Sequence, residues 1–262
     1  MRYGLTKRLM TVTILLAMSG GMALAEQLVV SISRHQVLVN SSFTGTSIVL
    51  FGALMPDKPD FKPRPKPYDI IVTIQGPRET VVTRQKERIL GIWINSRSRT
   101  FAGVPSYHAT LTNRPLPEIA DSATLDELEA GFHNLPLSQR VGSQILESAR
   151  SDPFRTNFIR LKEEHGLYTE QTNAVTLLTP TIFRAGIPVP AVAQVGNYEV
   201  TVQVLSGGKV VASTHTAFEL VKVGFEQFVA QAATRHGLLY GLAMVMMALT
   251  TGWLASVVFR RD

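Results

Sequence analysis

No cysteine occurs in the 262 residues. Disulfides and thiolate metal sites are thereby excluded, and a fold of this size has to be held by core burial alone. Methionine is almost confined to the two ends of the chain. Outside residues 1–25 and 237–259 only Met55 remains, too little for a soft copper site. The six histidines, at 35, 108, 133, 165, 215 and 236, never fall in HxH, HExxH or HxxxH spacing, so a metal site has no local nucleus. Ser106 and His108 share one strand face, yet they lack the orienting third group and the nucleophile elbow of serine hydrolases. No catalytic residue, no metal site and no cofactor is therefore assigned.

What is present is a pair of apolar segments at opposite ends. Arg2, Lys7 and Arg8 precede a short apolar core at Leu9 to Met18, and Ala23-Leu24-Ala25 supplies the small residues read by a signal peptidase. Residues 1–25 are expected to be a signal peptide, leaving Glu26 as the new amino terminus. At the other end, Gly237 to Phe259 carries no charge. Apolar side chains cover every face, unlike a soluble helix with its polar stripe, and the length is enough for a bilayer core of about 30 Å. Arg260 and Arg261 follow, and positive flanks stay on the cytoplasmic side. The expected topology is a single-pass protein of the inner membrane, its bulk in the periplasm and residues 260–262 in the cytoplasm.

Charge narrows the partners. Loss of Arg2, Lys7 and Arg8 with the signal takes the formal net charge from +6 to +3, a mild excess that gives no footing for nucleic acid. Much of it is concentrated: Arg78, Arg84, Lys86, Arg88, Arg97 and Arg99 stand against only Glu79 and Glu87 within residues 78–99. Arginine grips carboxylate, sulfonate or phosphate in bidentate fashion. Arg84, Lys86, Arg88, Arg97 and Arg99 are thus the candidate patch for an anion or a partner, with an edge strand protected by charge as the competing reading. Trp93 beside them reads as core.

Along the chain, Gln27 to Ser33, Gln36 to Val39, Ser47 to Met55, Tyr68 to Gln75, Ile89 to Asn95 and Tyr107 to Leu111 read as strands. Ser47 to Met55 is expected to be buried on both faces, Tyr68 to Gln75 to have one wetter face, and Ile89 to Asn95 to lie centrally in a sheet. Pro56 to Pro67, with five prolines and six charges in twelve residues, cannot join a ladder and reads as an exposed excursion. The period then changes. Thr124 to Glu127 fits a capping box, Pro136 to Arg150 a second helix, and Asp152-Pro153 opens a third that ends at Gly166.

The final section returns to strands at Ala174 to Leu178, Thr181 to Ala185, Asn197 to Leu205, Lys209 to Thr214 and Ala217 to Val223. A hairpin turn falls at Ser206-Gly207-Gly208. Tyr198 followed by alternating valines looks like the tyrosine-bearing strand of immunoglobulin-like sandwiches. The fold class is thus mainly β with an α insertion: immunoglobulin-like β-sandwich structure, a helical middle and one C-terminal transmembrane helix. The organisation is a β half or domain at 26–117, a helical insertion at 118–166, a second β half or domain at 167–223, a juxtamembrane helix at 224–236 and a span at 237–259. Within the span, Gly237, Gly241, Ala248, Gly252 and Ser256 repeat small residues that permit close helix–helix approach.

Four stretches, Phe43-Thr44-Gly45-Thr46-Ser47, Leu50-Phe51-Gly52-Ala53, Gly91-Ile92-Trp93-Ile94-Asn95 and Val104-Pro105-Ser106-Tyr107, carry a resemblance. Together with the Gly196-Asn197-Tyr198 strand and the anchor, they make the chain similar to an alphaproteobacterial transmembrane-protein family. That resemblance implies a signal-bearing, membrane-anchored protein and brings no activity or catalytic residue with it. The function expected is non-enzymatic: a scaffold or accessory subunit that contacts another inner-membrane protein such as a transporter. A binding module for an anionic small molecule is the alternative, and a hydrolase comes third.

Overall fold

The computed structural model describes residues 26–56, 67–141, 144–224 and 233–258. The expected signal peptide, most of the Pro56 to Pro67 excursion, residues 225–232 of the juxtamembrane helix and the Arg260-Arg261 flank lie outside the described residues. In chain order the strands are β1 (Glu26–Ile32), β2 (Gln36–Val39), β3 (Gly45–Pro56), β4 (Tyr68–Gln75), β5 (Arg78–Ile89), β6 (Ile92–Pro105) and β7 (His108–Thr112). After the short helices α1 (Leu116–Ile119) and α2 (Ser122–Glu127) come β8 (Ser138–Val141), β9 (Gln144–Glu147) and helix α3 (Pro153–Glu164). The chain continues through β10 (Tyr168–Gln171), β11 (Val175–Leu177), β12 (Ile182–Pro190), β13 (Gly196–Ser206) and β14 (Lys209–Lys222) to helix α4 (Gly237–Val258).

Two sheets face each other, ordered β1-β3-β12-β11 and β10-β7-β4-β13-β14-β2. Both draw strands from either side of the helical middle, so the two β-rich halves of the sequence build one sandwich. Ile48, Leu50, Ile70, Val72, Phe183, Val200 and Val202 are fully buried in its core. Burial of each such side chain contributes about 1.5 to 3 kcal/mol. Tyr198 sits here as well, its hydroxyl donating to the Gln194 carbonyl at 2.7 Å.

Burial corrects two strand readings in opposite directions. β3 alternates, with Ile48, Leu50 and Leu54 inward while Phe51 and Met55 are 46% and 49% exposed, because its sheet has a core on one side only. β4 is buried on both faces. Ile70, Val72 and Ile74 enter the sandwich, and Ile71 packs beneath the helical segments with Ile119, Leu125, Ala130 and Leu205. Hydrophobic periodicity records side-chain polarity, and it cannot foresee that another segment will lie over the polar face.

Other local readings change too. Pro136 to Arg150 is not helical: β8 and β9 form a small hairpin there, and β8 extends β6 through Thr100 and Phe101. Pairing to the open edge of β6 outweighs the local helical pattern there. The helix α2 is capped one turn earlier than the sequence implies, since Asp121 Oδ1 accepts the Thr124 amide hydrogen bond at 3.0 Å. Asp152 caps α3 as expected, Oδ1 accepting from the Phe154 amide at 2.9 Å, and Gly166 follows at φ 67°. Ala217 to Val223 is the continuation of β14, which pairs with β13 through the Gly207-Gly208 turn.

The third sheet, β5-β6-β8-β9, carries the features of functional interest. Its inner face joins α3 in a second core of Phe101, Val104, Leu137, Phe158 and Tyr168. Beyond that core β5 and β6 run on as a two-stranded arm, and Ile89 to Asn95 forms its exposed tip, with Leu90 97%, Ile92 67% and Trp93 66% exposed. The expectations of a central strand and of a core Trp93 are both overturned. Five consecutive polar residues, Arg84 to Arg88, leave neither strand face apolar, so no layer packs on them. Leu90 and Gly91 make the turn with positive φ, 50° and 85°.

Candidate functional site

The site region has two parts, the arm and a groove at its base. Six successive β5 residues, Val81 to Lys86, line a cavity of about 650 Å³ together with residues of α3. Successive side chains on a strand point to opposite faces. A cavity touched by six in a row therefore runs along the strand's edge. β5 is an edge strand, its other side paired to β6, so among the described residues its outer backbone groups have no neighbouring strand. The opposite wall is one face of α3, where Phe154, Phe158, Leu161 and His165 recur at helical spacing.

Apolar floor and cationic rim divide the groove. Val81, Phe154, Phe158, Leu161 and Leu167 supply the floor, while Arg84, Lys86, Arg160 and Lys162 supply the charge, and among the described residues no acidic one lines it. Lys162, only 13% exposed, is committed to the structure: it donates to Glu79 Oε1 at 2.5 Å and to the Ser106 carbonyl at 3.2 Å. Its ammonium also lies 5.8 Å from the ring centres of Phe158 and Tyr168. Arg160 stands 3.6 Å from Glu164 one turn along the exposed helix face. Arg84 and Lys86 form no ion pair among the described residues and remain available.

The five basic residues singled out from the sequence thus separate. Arg84 and Lys86 line the groove. Arg97 pairs with Glu87 at 3.3 Å, Arg88 donates from Nε to the Gly91 carbonyl at 3.3 Å near the arm's turn, and Arg99 lies 5.4 Å over the Phe154 ring. Sequence reasoning missed the groove's aromatic floor, since Phe154 and Phe158 read equally well as ordinary core residues. It also missed the arm, although the polar runs Arg84 to Arg88 and Asn95 to Arg99 on paired strands carried the signal.

The small residues Gly237, Gly241, Ala248, Gly252 and Ser256 all lie on α4, where a Cβ placed at any of the three glycines meets no heavy atom within 4 Å. Among the described residues no three His, Asp or Glu side chains gather as a metal site. His108 is fully buried with neither ring nitrogen hydrogen-bonded, and burial drops its pKa from 6.5 to about 4. Its nearest aromatic neighbour is Tyr168, at 5.9 Å between ring centres. Burial likewise raises the Tyr168 hydroxyl, which donates to the Pro105 carbonyl at 2.8 Å. The pair fills space and holds no access to solvent.

One helix, α4, is long and apolar enough to cross a bilayer among the described residues. The family model described as "Putative transmembrane protein" (Alph_Pro_TM) matches residues 27–261, and the chain belongs to that family. It is a membrane-anchored protein with a largely β domain and, among the described residues, one C-terminal span. Comparison with curated proteins finds no match.

Proposed function

We propose that this protein is a membrane-anchored periplasmic scaffold or accessory subunit whose arm contacts another inner-membrane protein, such as a transporter. The observation that carries the reading is the arm tip. Leu90, Ile92 and Trp93 are largely exposed at the end of a ribbon that, among the described residues, has two strands past Thr100. Two-stranded ribbons are marginal alone in water, and clustered exposed apolar side chains mark interaction surfaces. Tryptophan is among the residues enriched where a few contacts carry most of the binding. Arginine and lysine on the shaft below fit the polar rim of such an interface.

The signal-like amino terminus and the Arg260-Arg261 flank support placing the domain in the periplasm and the C-terminus in the cytoplasm. The Tyr198 bond to the carbonyl four residues upstream supports an immunoglobulin-like reading of the sandwich. As test, the full-length protein is purified in mild detergent from native membranes. A defined membrane protein should accompany the wild type and be lost with a Leu90→Ser, Trp93→Ser double variant that keeps its thermal unfolding unchanged. An identical set of companions in both samples would overturn the reading.

A second reading, capture of an anionic solute, is favoured by the concavity next to Arg84 and Lys86. Its volume falls within the range of about 300 to 1,000 Å³ usual for ligand sites. It predicts a rise in Tm with sulfonates or phosphate that Arg84→Gln with Lys86→Gln abolishes. Equal shifts in wild type and variant would mean a generic salt effect.

A further inference from the structure

We infer that the groove between α3 and β5 takes an extended, acidic segment of a partner protein, which adds as a strand to the free edge of β5. The inference rests on the reading of this domain as a protein-contacting module. It does not require the arm tip to be the contact.

Three features of the groove converge on an extended chain. The first is the exposed backbone. Among the described residues no strand pairs with the outer edge of β5, so it offers amide and carbonyl groups along Val81 to Lys86, and a small solute cannot satisfy a row of them. An added strand satisfies them in register. The second is the floor. In an added strand alternate side chains face the same way, so one set would lie on Phe154, Phe158 and Leu161 while the other meets solvent and the rim. The third is charge. Among the described residues cations line the groove and acids do not, and Arg84 and Lys86 have no carboxylate partner there. Glutamate or aspartate on the incoming strand complements them.

The same charges argue against a second copy of this chain as the occupant. Two β5 edges paired antiparallel about Lys86 would set Lys86 against its own copy and Arg84 against Arg88, while the two acids of β5, Glu79 and Glu87, are engaged with Lys162 and Arg97; like charges across strands are destabilising. Charge on this edge thus serves two ends: it repels an identical edge and selects an acidic one.

The test uses full-length protein in lipid nanodiscs and a fluorescein-labelled octapeptide of alternating valine and glutamate. Saturable binding is expected, together with slowed amide hydrogen exchange in the segment Val81 to Lys86. The affinity should fall about tenfold in the Arg84→Gln, Lys86→Gln double variant, whose exposed changes leave the fold intact. A version of the peptide N-methylated at every residue should not bind, because it has no N–H left to donate to the strand edge. Valine–lysine and proline-interrupted peptides should also fail.

Equal binding of the N-methylated peptide would overturn the inference, as would full displacement of the acidic peptide by millimolar glutarate. Either result would mean that the groove holds anions by charge alone. Protection of β5 without any peptide, in step with dimer formation, would assign the edge to a second copy and likewise overturn it. Absence of peptide binding alongside loss of the companion protein in the Leu90→Ser, Trp93→Ser variant would overturn this inference and leave the proposed function standing.

Discussion

Lys162 on α3 donates to Glu79 on β5 across 2.5 Å, and this contact ties the helix to the strand that it faces across the groove. Both side chains are largely withdrawn from water, at 13% and 28% exposure. Lys162→Met keeps the apolar stem and removes the charge. It is expected to cost about 1 to 3 kcal/mol, since Glu79 is left half-buried without its partner. The check is the midpoint of denaturant unfolding in detergent, and no change in midpoint would show that the pair is dispensable.

Gly52 on β3 lies under the ring of Phe183 on the neighbouring β12, so closely that a Cβ there would overlap the ring atoms. Gly52→Ala is therefore expected to lower stability by about 1 to 3 kcal/mol, the usual cost of overpacking. Adding Phe183→Leu should recover part of that loss, and the double-variant cycle measures the coupling. Additive losses in the cycle would contradict the close packing.

His108 predicts a pH dependence. Its folded pKa is depressed to about 4 from 6.5 by burial, so the unfolded chain binds a proton that the folded chain refuses. The stability associated with neutral His108 is fully present above 6.5 and is lost as pH falls through the interval down to about 4. Within that interval the loss approaches about 1.4 kcal/mol per pH unit. His108→Leu should flatten the acid limb of stability against pH relative to wild type. Parallel curves would show that His108 takes up its proton while folded.

The topology proposal has its own reporters. A fusion after Lys222 to an enzyme active only in the periplasm should be active, and a cytoplasm-only reporter after Asp262 should work as well. Failure of both would reverse the orientation.

The sequence revealed the anchor and most strands because those signals are local. Twenty-two uninterrupted uncharged residues from Gly237 to Val258 need no context, and Tyr198, Val200 and Val202 alternate inward as their spacing implies. It misread what depends on distant chain. The polar face of β4 is covered by α1 and α2, with Arg114 holding Asp69 through two bonds of 2.8 and 2.7 Å at the start of that cover. Nothing near Asp69 announces this pairing. The candidate site shows the same split: the basic residues were visible as a cluster, yet only Arg84 and Lys86 reach the groove, because the helix forming its other wall comes some seventy residues later. Trp93 was misassigned for a simpler reason. An apolar run on a strand predicts burial, and an arm that extends past its own core breaks the rule.

The most direct measurement of the central claim is site-specific photocrosslinking from Leu90 in native membranes, with a second probe at the exposed Leu178 as control. The account predicts one discrete adduct with an integral membrane protein from the Leu90 position, absent from Leu178 and lost when Trp93 is replaced by serine. Adducts with lipid alone, or a pattern shared by both positions, would contradict an arm built to contact another membrane protein.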